Sequence, residues 1–160
     1  METRDIALAG LFGALYAVGV ILLAPISFLP VQVRIADAFL PLSILFGLPV
    51  IIGLTLGALV ANLVGGLGAV DVIGGSIANL IATTLAWKIG SLKFRGTWLA
   101  AVAVEILVVT IIVGTYLSIL FEIPIVVGLM DVFVGSLIAI GIAGYSLLKL
   151  LEAKPMLTQR

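Results

Sequence analysis

Apolar residues in this chain come in long blocks rather than in alternation. Six blocks stand out, over residues 5–24, 36–46, 50–64, 71–89, 97–120 and 125–151. The breaks between them hold the turn-forming residues: Pro25 and Pro30, Gly47-Leu48-Pro49, Gly65-Gly66-Leu67-Gly68, and Glu122 with Pro124. A chain that is hydrophobic all round each helix is surrounded by apolar material, either a large core or lipid. Spanning hydrocarbon takes about 20 such residues. The pattern predicts an all-α membrane protein, a six-transmembrane-helix bundle forming a single integral membrane domain over residues 1–160. The second block is the weak point. Its 11 residues, Ala36 to Phe46, reach only about 16 Å as an α-helix, against about 30 Å of hydrocarbon. Residues 36–64 therefore read either as two full crossings or as a re-entrant hairpin that leaves four. Non-helical backbone at membrane depth is tolerated only inside protein or along a cavity, so this region is not expected to face lipid.

Composition supports lipid as the solvent. The 160 residues are 63% hydrophobic and 10% charged, whereas soluble domains are about 45–50% apolar and about 25% charged. The apolar run from Ile6 to Pro25 is longer than a secretory h-region of about 7–15 residues, and Glu2 and Asp5 accompany Arg4, so the first block is expected to be a retained helix. If the N-terminus is inside and the segments alternate, Arg4, Lys88, Lys93, Arg95, Lys149, Lys154 and Arg160 fall inside and only Arg34 outside. That bias predicts cytoplasmic termini. Zero net charge and the absence of a basic tract give no footprint for nucleic acid. With no cysteine and no histidine, disulfides, thiolate or imidazole metal sites and histidine-based catalysis are excluded.

Against this background each polar residue asks for a reason. Arg34 and Asp37 stand three apart at the entry to the second block, where they share a helical face and can pair; Arg34 is equally suited to a polar edge of a solute. Gln32 and Asn62 carry amides that match the donors and acceptors of a planar heterocycle. Asp71 follows a glycine-rich turn, where a carboxylate suits a helix start. It also heads a stripe with Gly75, Asn79 and Thr83 at four-residue spacing, which belongs on an inward face. Glu105 lies within hydrocarbon depth, and an intramembrane carboxylate is a functional candidate by default; Tyr116 falls on nearly the same face. Asp131 is a second such acid. Trp87, Trp98 and Tyr145 sit where belt aromatics belong. In the first block Ala9, Gly13 and Ala17 form a small-residue stripe that lets another helix approach closely, from within the protein or from a partner. The glycine clusters are turns, because no phosphate-binding Lys-Ser or Lys-Thr follows them.

Several segments resemble one family in order and spacing: Leu23-Ala24-Pro25-Ile26, Gln32-Val33-Arg34-Ile35-Ala36-Asp37, Leu59-Val60-Ala61-Asn62-Leu63 and Asp71-Val72-Ile73-Gly74-Gly75. The chain resembles the substrate-binding S components of energy-coupling factor (ECF) transporters, and within them the queuosine-precursor family, QueT. The resemblance covers most of the first 90 residues; the last 70 match mainly in length and hydropathy. It implies six helices with both ends inside a prokaryotic cell membrane and an outward-open pocket for a deazaguanine-like precursor of queuosine or archaeosine. It also implies a transmembrane coupling component and two ABC ATPases that use ATP, with no cofactor in this chain and no enzyme activity of its own. The stripe Ala9, Gly13, Ala17 becomes the expected docking face. Glu105 or Asp131 would read the guanine-like edge, with Asn62, Gln32 and Arg34 on the carbonyl and ring nitrogens, and Asp37, Asp71 and Asn79 beside them. Asp37 stands where the family often has Glu, and Gly135-Ser136 stand near where it has a Glu in the last helix. The alternative from the residues alone is a stand-alone proton-coupled transporter working through Glu105 or Asp131.

Overall fold

The computed structural model describes residues 2–27, 33–92 and 94–153. The described residues form helices and turns, with no strand among them. α1 is Thr3–Leu22, followed by the single turn α2, Ala24–Ser27. A 3₁₀ segment, Ile35–Leu42, runs into α3, Ser43–Phe46. Then come α4 (Leu48–Gly65), α5 (Ala69–Gly90) and α6 (Thr97–Leu120). The last rod joins α7 (Ile125–Ser136), a π-helical stretch Leu137–Gly144 and α8 (Tyr145–Glu152). Among the described residues, five helices are long and apolar enough to cross a membrane: Thr3–Leu22, Leu48–Gly65, Ala69–Gly90, Thr97–Leu120 and Ile125–Glu152; Ile35–Phe46 is shorter.

The helix ends follow local chemistry. α1 opens with a reciprocal cap in which the Glu2 amide donates to Asp5 Oδ2 at 3.1 Å. Gly47 caps the start of α4 with φ 65°, a conformation that side chains with a Cβ resist. Pro49 then sits in the first turn, where its missing N–H costs nothing.

Polar residues of the spans point inward, while many large apolar residues point outward. Ser76, Asn79, Thr83, Asp71 and Glu105 are buried, while Leu11, Leu22, Leu63, Ile73, Ile111 and Ile142 are exposed. Between helices the contacts are small: Ala58, Ala61, Ala78, Ala82, Ala86 and Ala101 are wholly covered. Without a hydrophobic drive between helices in lipid, this close backbone approach supplies the packing energy.

The tightest approach joins α1 to α4. A Cβ on Gly13 would lie 2.9 Å from the Gly53 carbonyl oxygen, and one on Gly57 would lie 2.6 Å from the Gly13 carbonyl oxygen. A Cβ on Gly53 would strike the Ala9 carbonyl. The register advances in the same sense on both helices, so α1 and α4 run parallel. The chain between them must therefore travel back along the length of α1. Asp5, Gly47 and Trp87 line one shallow pocket at the end where that return finishes.

The second apolar block makes this return, and it differs from the α-helix assumed for it. Its first seven residues, Ala36–Leu42, are 3₁₀-helical, in a segment that starts one residue earlier at Ile35. At about 2.0 Å per residue, with α3 at about 1.5 Å, Ile35–Phe46 reaches about 22 Å, where an α-helix of the same length would reach about 18 Å. It also lies at the centre of the bundle. Ile35–Leu42 packs against α1, α4, α5, α6, the π-helical stretch and α8, and Ala36, Asp37, Leu40, Pro41 and Leu42 are buried. Gly144 lets the last rod close on it, since a Cβ there would meet Pro41 Cγ at 2.9 Å and the Ala38 carbonyl oxygen at 3.0 Å.

The parallel α1–α4 contact yields a paired prediction. Gly53→Ala inserts a methyl against backbone that cannot move aside and is expected to cost about 1–3 kcal/mol, lowering the melting temperature in detergent by about 5 °C. Gly10 has open space at its Cβ position, so Gly10→Ala is expected to leave the melting temperature unchanged or slightly raised.

Candidate functional site

The polar positions converge near one end of the bundle. Arg34 precedes the 3₁₀ segment and Asp37 lies in its first turn. α5 contributes Asp71, Gly75 and Asn79 from one face, as their four-residue spacing requires. α1 contributes Tyr16, α4 contributes Asn62, and α6 contributes Tyr116. All are buried; the most exposed side chains, Arg34 and Tyr116, are each only 8% accessible.

Two tyrosine–aspartate pairs hold the site. The Tyr16 hydroxyl donates to Asp37 Oδ1 at 2.6 Å. The Tyr116 hydroxyl donates to Asp71 Oδ1 at 2.8 Å. Arg34 links them: its Nη2 lies 3.7 Å from Asp71 Oδ1, and its charge acts on Asp37 and both tyrosines. Asn62 Nδ2 donates to the Asp71 backbone carbonyl at 2.9 Å, tying the end of α4 to the start of α5. The glycines of α5 make room for this. A Cβ on Gly74 would lie 2.9 Å from the Tyr116 ring, and one on Gly75 would strike the Asn62 amide.

A cavity opens beside this network, lined by Arg34, Asp37, Asn79 and Ser136 with Val109, Val113, Val132 and Gly135. Four polar side chains thus face three valines, the mixture that grips a planar solute through its edges and its faces. The free space is ≈ 20 Å³, room for about one water. Admitting a heterocycle requires the walls to part.

The expected residues divide into three groups. Arg34, Asp37 and Asn79 line the cavity. Asp71 stands behind Arg34, and Asn62 holds the Asp71 backbone. Asp71 does not cap its helix; Gly68 holds the cap position, with no side-chain cap bond, and the carboxylate turns to Tyr116 and Arg34. Arg34 likewise reaches Asp71, far along the chain, as well as acting on Asp37 three residues on. Glu105 is fully buried but does not line the cavity; it lies one turn before Val109, with Ser43 and Asp37 as polar neighbours. Both of its carboxyl oxygens lack a hydrogen-bond partner among the described residues. Asp131 is half-buried, and it is its neighbour Val132 that faces the cavity. Gln32 lies outside the described residues. Tyr16 and Ser136 were not expected to take part. The signal for Tyr16 was available, because a hydroxyl in an otherwise apolar span must find a partner.

The small-residue stripe has two faces. Ala9 and Gly13 pack on α4 at Gly53 and Gly57. With Ala17, Gly10, Ala14, Ile52 and Leu56 they also line an open apolar groove of ≈ 480 Å³ on the outside of the bundle.

Compared with known families, the chain matches the model of the QueT transporter family over residues 6–153. None of the curated proteins and none of the solved structures compared with it matches.

The hydrogen bonds predict distinct effects of tyrosine removal. Tyr116→Phe leaves the buried Asp71 carboxylate without its hydroxyl donor and is expected to cost about 1–3 kcal/mol, a lower melting temperature in detergent. Tyr145→Phe, at the other end of the bundle, is expected to change it by less than about 0.5 kcal/mol.

Proposed function

The chain belongs to the QueT transporter family, and from that membership we propose that it is the S component of an ECF-type transporter, binding a deazaguanine-like precursor of queuosine or archaeosine. As a member it is a multi-pass membrane transporter with a small-molecule substrate. The observation that carries the finer reading is the cavity where Arg34, Asp37, Asn79 and Ser136 meet three valines. Asp37 offers a carboxylate to adjacent N–H donors of a guanine-like edge, and Arg34 and Asn79 offer donors to ring nitrogens and a carbonyl. This moves the edge-reading acid from Glu105 or Asp131 to Asp37. Asp71, its backbone tied by Asn62, holds Arg34 in place for that contact.

The topology belongs to the same proposal. Parallel α1 and α4 support a full return by Ile35–Phe46, giving six passes with both termini on one side. The positive charges near Lys88, Arg95 and Lys149 support the cytoplasm of a prokaryotic cell as that side. The site of Arg34 then opens outward. The sequence carries no phosphate-binding motif, so uphill transport draws on separate ATPases through a coupling component. The groove of Ala9, Gly13 and Ala17 is its docking surface.

One observation favours a second reading. Glu105 is buried with both oxygens unpartnered, which suits a proton carrier in a stand-alone transporter. Uptake of a labelled deazaguanine precursor separates the two. With the coupling component and ATPases present, uptake is expected, and it should fall at least tenfold in their absence or on Arg34→Gln. Equal uptake without them, abolished by a protonophore, overturns the ECF reading.

A further inference from the structure

A second cavity lies at the other end of α6 from Tyr116, where the α5–α6 turn meets the end of the last rod. It has ≈ 400 Å³ of free space, and Thr97, Trp98, Leu99, Tyr145, Lys149 and Glu152 are among its walls. The turn that shapes it is fixed by one hydroxyl. Thr97 Oγ1 donates to the Leu92 carbonyl at 2.9 Å and accepts from the Phe94 amide at 3.2 Å. Gly96, with φ 86°, takes the bend into α6, which a residue with a Cβ resists.

The cavity holds an oriented cation. Lys149 Nζ lies 4.6 Å from the centre of the Trp98 ring and 5.8 Å from that of Tyr145, close enough for both ring faces to attract it. Glu152 Oε2 accepts from it at 2.9 Å, which engages one of the three donors an ammonium carries. Exposed Lys88 and Arg95 stand within two residues of Gly90 and Gly96, which also line the cavity. Lys93 adds another base to the sequence of this turn. Glu152 is the one acid on the walls. The balance is positive and suits an anion.

The walls continue into an apolar track. Leu99, Ala103 and Leu107 are exposed at four-residue spacing along α6, and Ile142 and Ile138 are exposed along the last rod, which packs against α6. Both tracks run from the cavity toward the middle of the spans. A free phosphate would use the cation and leave the tracks bare, whereas an amphiphile uses both. The aromatic rings sit at a helix start and near a helix end, the level of lipid headgroups in a spanning bundle.

We propose that this cavity binds an anionic phospholipid, its phosphate against Lys149 and an acyl chain along Leu99, Ala103 and Leu107. The assignment is independent of the solute carried beside Arg34. Each basic residue near a headgroup contributes about fivefold in association with an anionic lipid.

Trp87→Phe leaves Trp98 as the sole tryptophan, so its fluorescence reports lipid at this cavity. The full chain is placed in phosphatidylcholine vesicles holding a minority of phosphatidylglycerol, with bromine on the acyl chains of one lipid or the other. Quenching of Trp98 is expected to show phosphatidylglycerol enriched about fivefold beside it, and Lys149→Gln to bring the ratio within about twofold. Equal quenching by the two lipids overturns the proposal. An undiminished preference in Lys149→Gln overturns the assignment to Lys149. Millimolar inorganic phosphate is expected to leave the preference intact; its loss would assign the site to free phosphate and overturn the lipid. Native mass spectrometry of the wild-type chain from micelles doped equally with both lipids decides even where a variant does not fold. Preferential retention of phosphatidylglycerol is expected, and equal retention overturns the proposal.

Discussion

A guanidinium buried inside a lipid-surrounded bundle is the constraint on which this structure turns. Arg34 is 8% exposed, and placing such a charge at membrane depth costs about 2.5–3.5 kcal/mol on insertion scales. It is tolerable only with acids close by, and the chain supplies them from separate elements. Asp37 comes from the 3₁₀ segment and Asp71 from α5. Each aspartate is fixed by a tyrosine from a further helix, Tyr16 of α1 or Tyr116 of α6. Satisfying one cation thus ties four elements together at the same level of the bundle. Removing one partner of such a set costs about 3–5 kcal/mol, because a buried charge is left uncompensated. The glycines of α5 belong to the same constraint. Gly74 and Gly75 are bare so that Tyr116, Asn62 and Arg34 can come within reach.

The short central segment follows from this arrangement. An α-helix of that length would fall well short of the returning path between two parallel helices. Winding Ile35–Leu42 as a 3₁₀-helix lengthens it. Its own backbone geometry is poorer, but six neighbouring elements enclose it. The site is carried on the first turn of this enclosed segment rather than on a lipid-facing rod. That gives the cavity residues fixed positions, while α6 and α7 bring the valines of the facing wall.

Much of this was legible in the sequence, and the limits were physical. Hydropathy located the long helices, because each carries its own apolar run. Helical spacing put Asp71, Gly75 and Asn79 on one inward face of α5, because periodicity within a helix is fixed by its geometry. Arg34 and Asp37 stood out as charges in an apolar chain. What spacing does not encode is which helices become neighbours. The partner of Arg34 that lies in α5, the tyrosine from α1 and the serine from α7 depend on packing between elements far apart in the chain. Glu105 shows the converse. Its depth was plain from its position, yet it shares a face of α6 with Val109 and Val113 and lies one turn further along the helix, beyond the cavity those valines line. The 3₁₀ winding of the second block had no signature beyond its shortness and Pro41.

The central claim is that the cavity beside Arg34 holds the solute. Native mass spectrometry of protein purified from a host grown with queuosine precursors addresses it directly, comparing wild type with Ser136→Phe, which overfills the cavity while leaving every residue of the charge network unsubstituted. The account predicts a bound small molecule of deazaguanine-like mass on the wild type and none on the variant, with both proteins folded. The same molecule retained at equal occupancy by Ser136→Phe would contradict it.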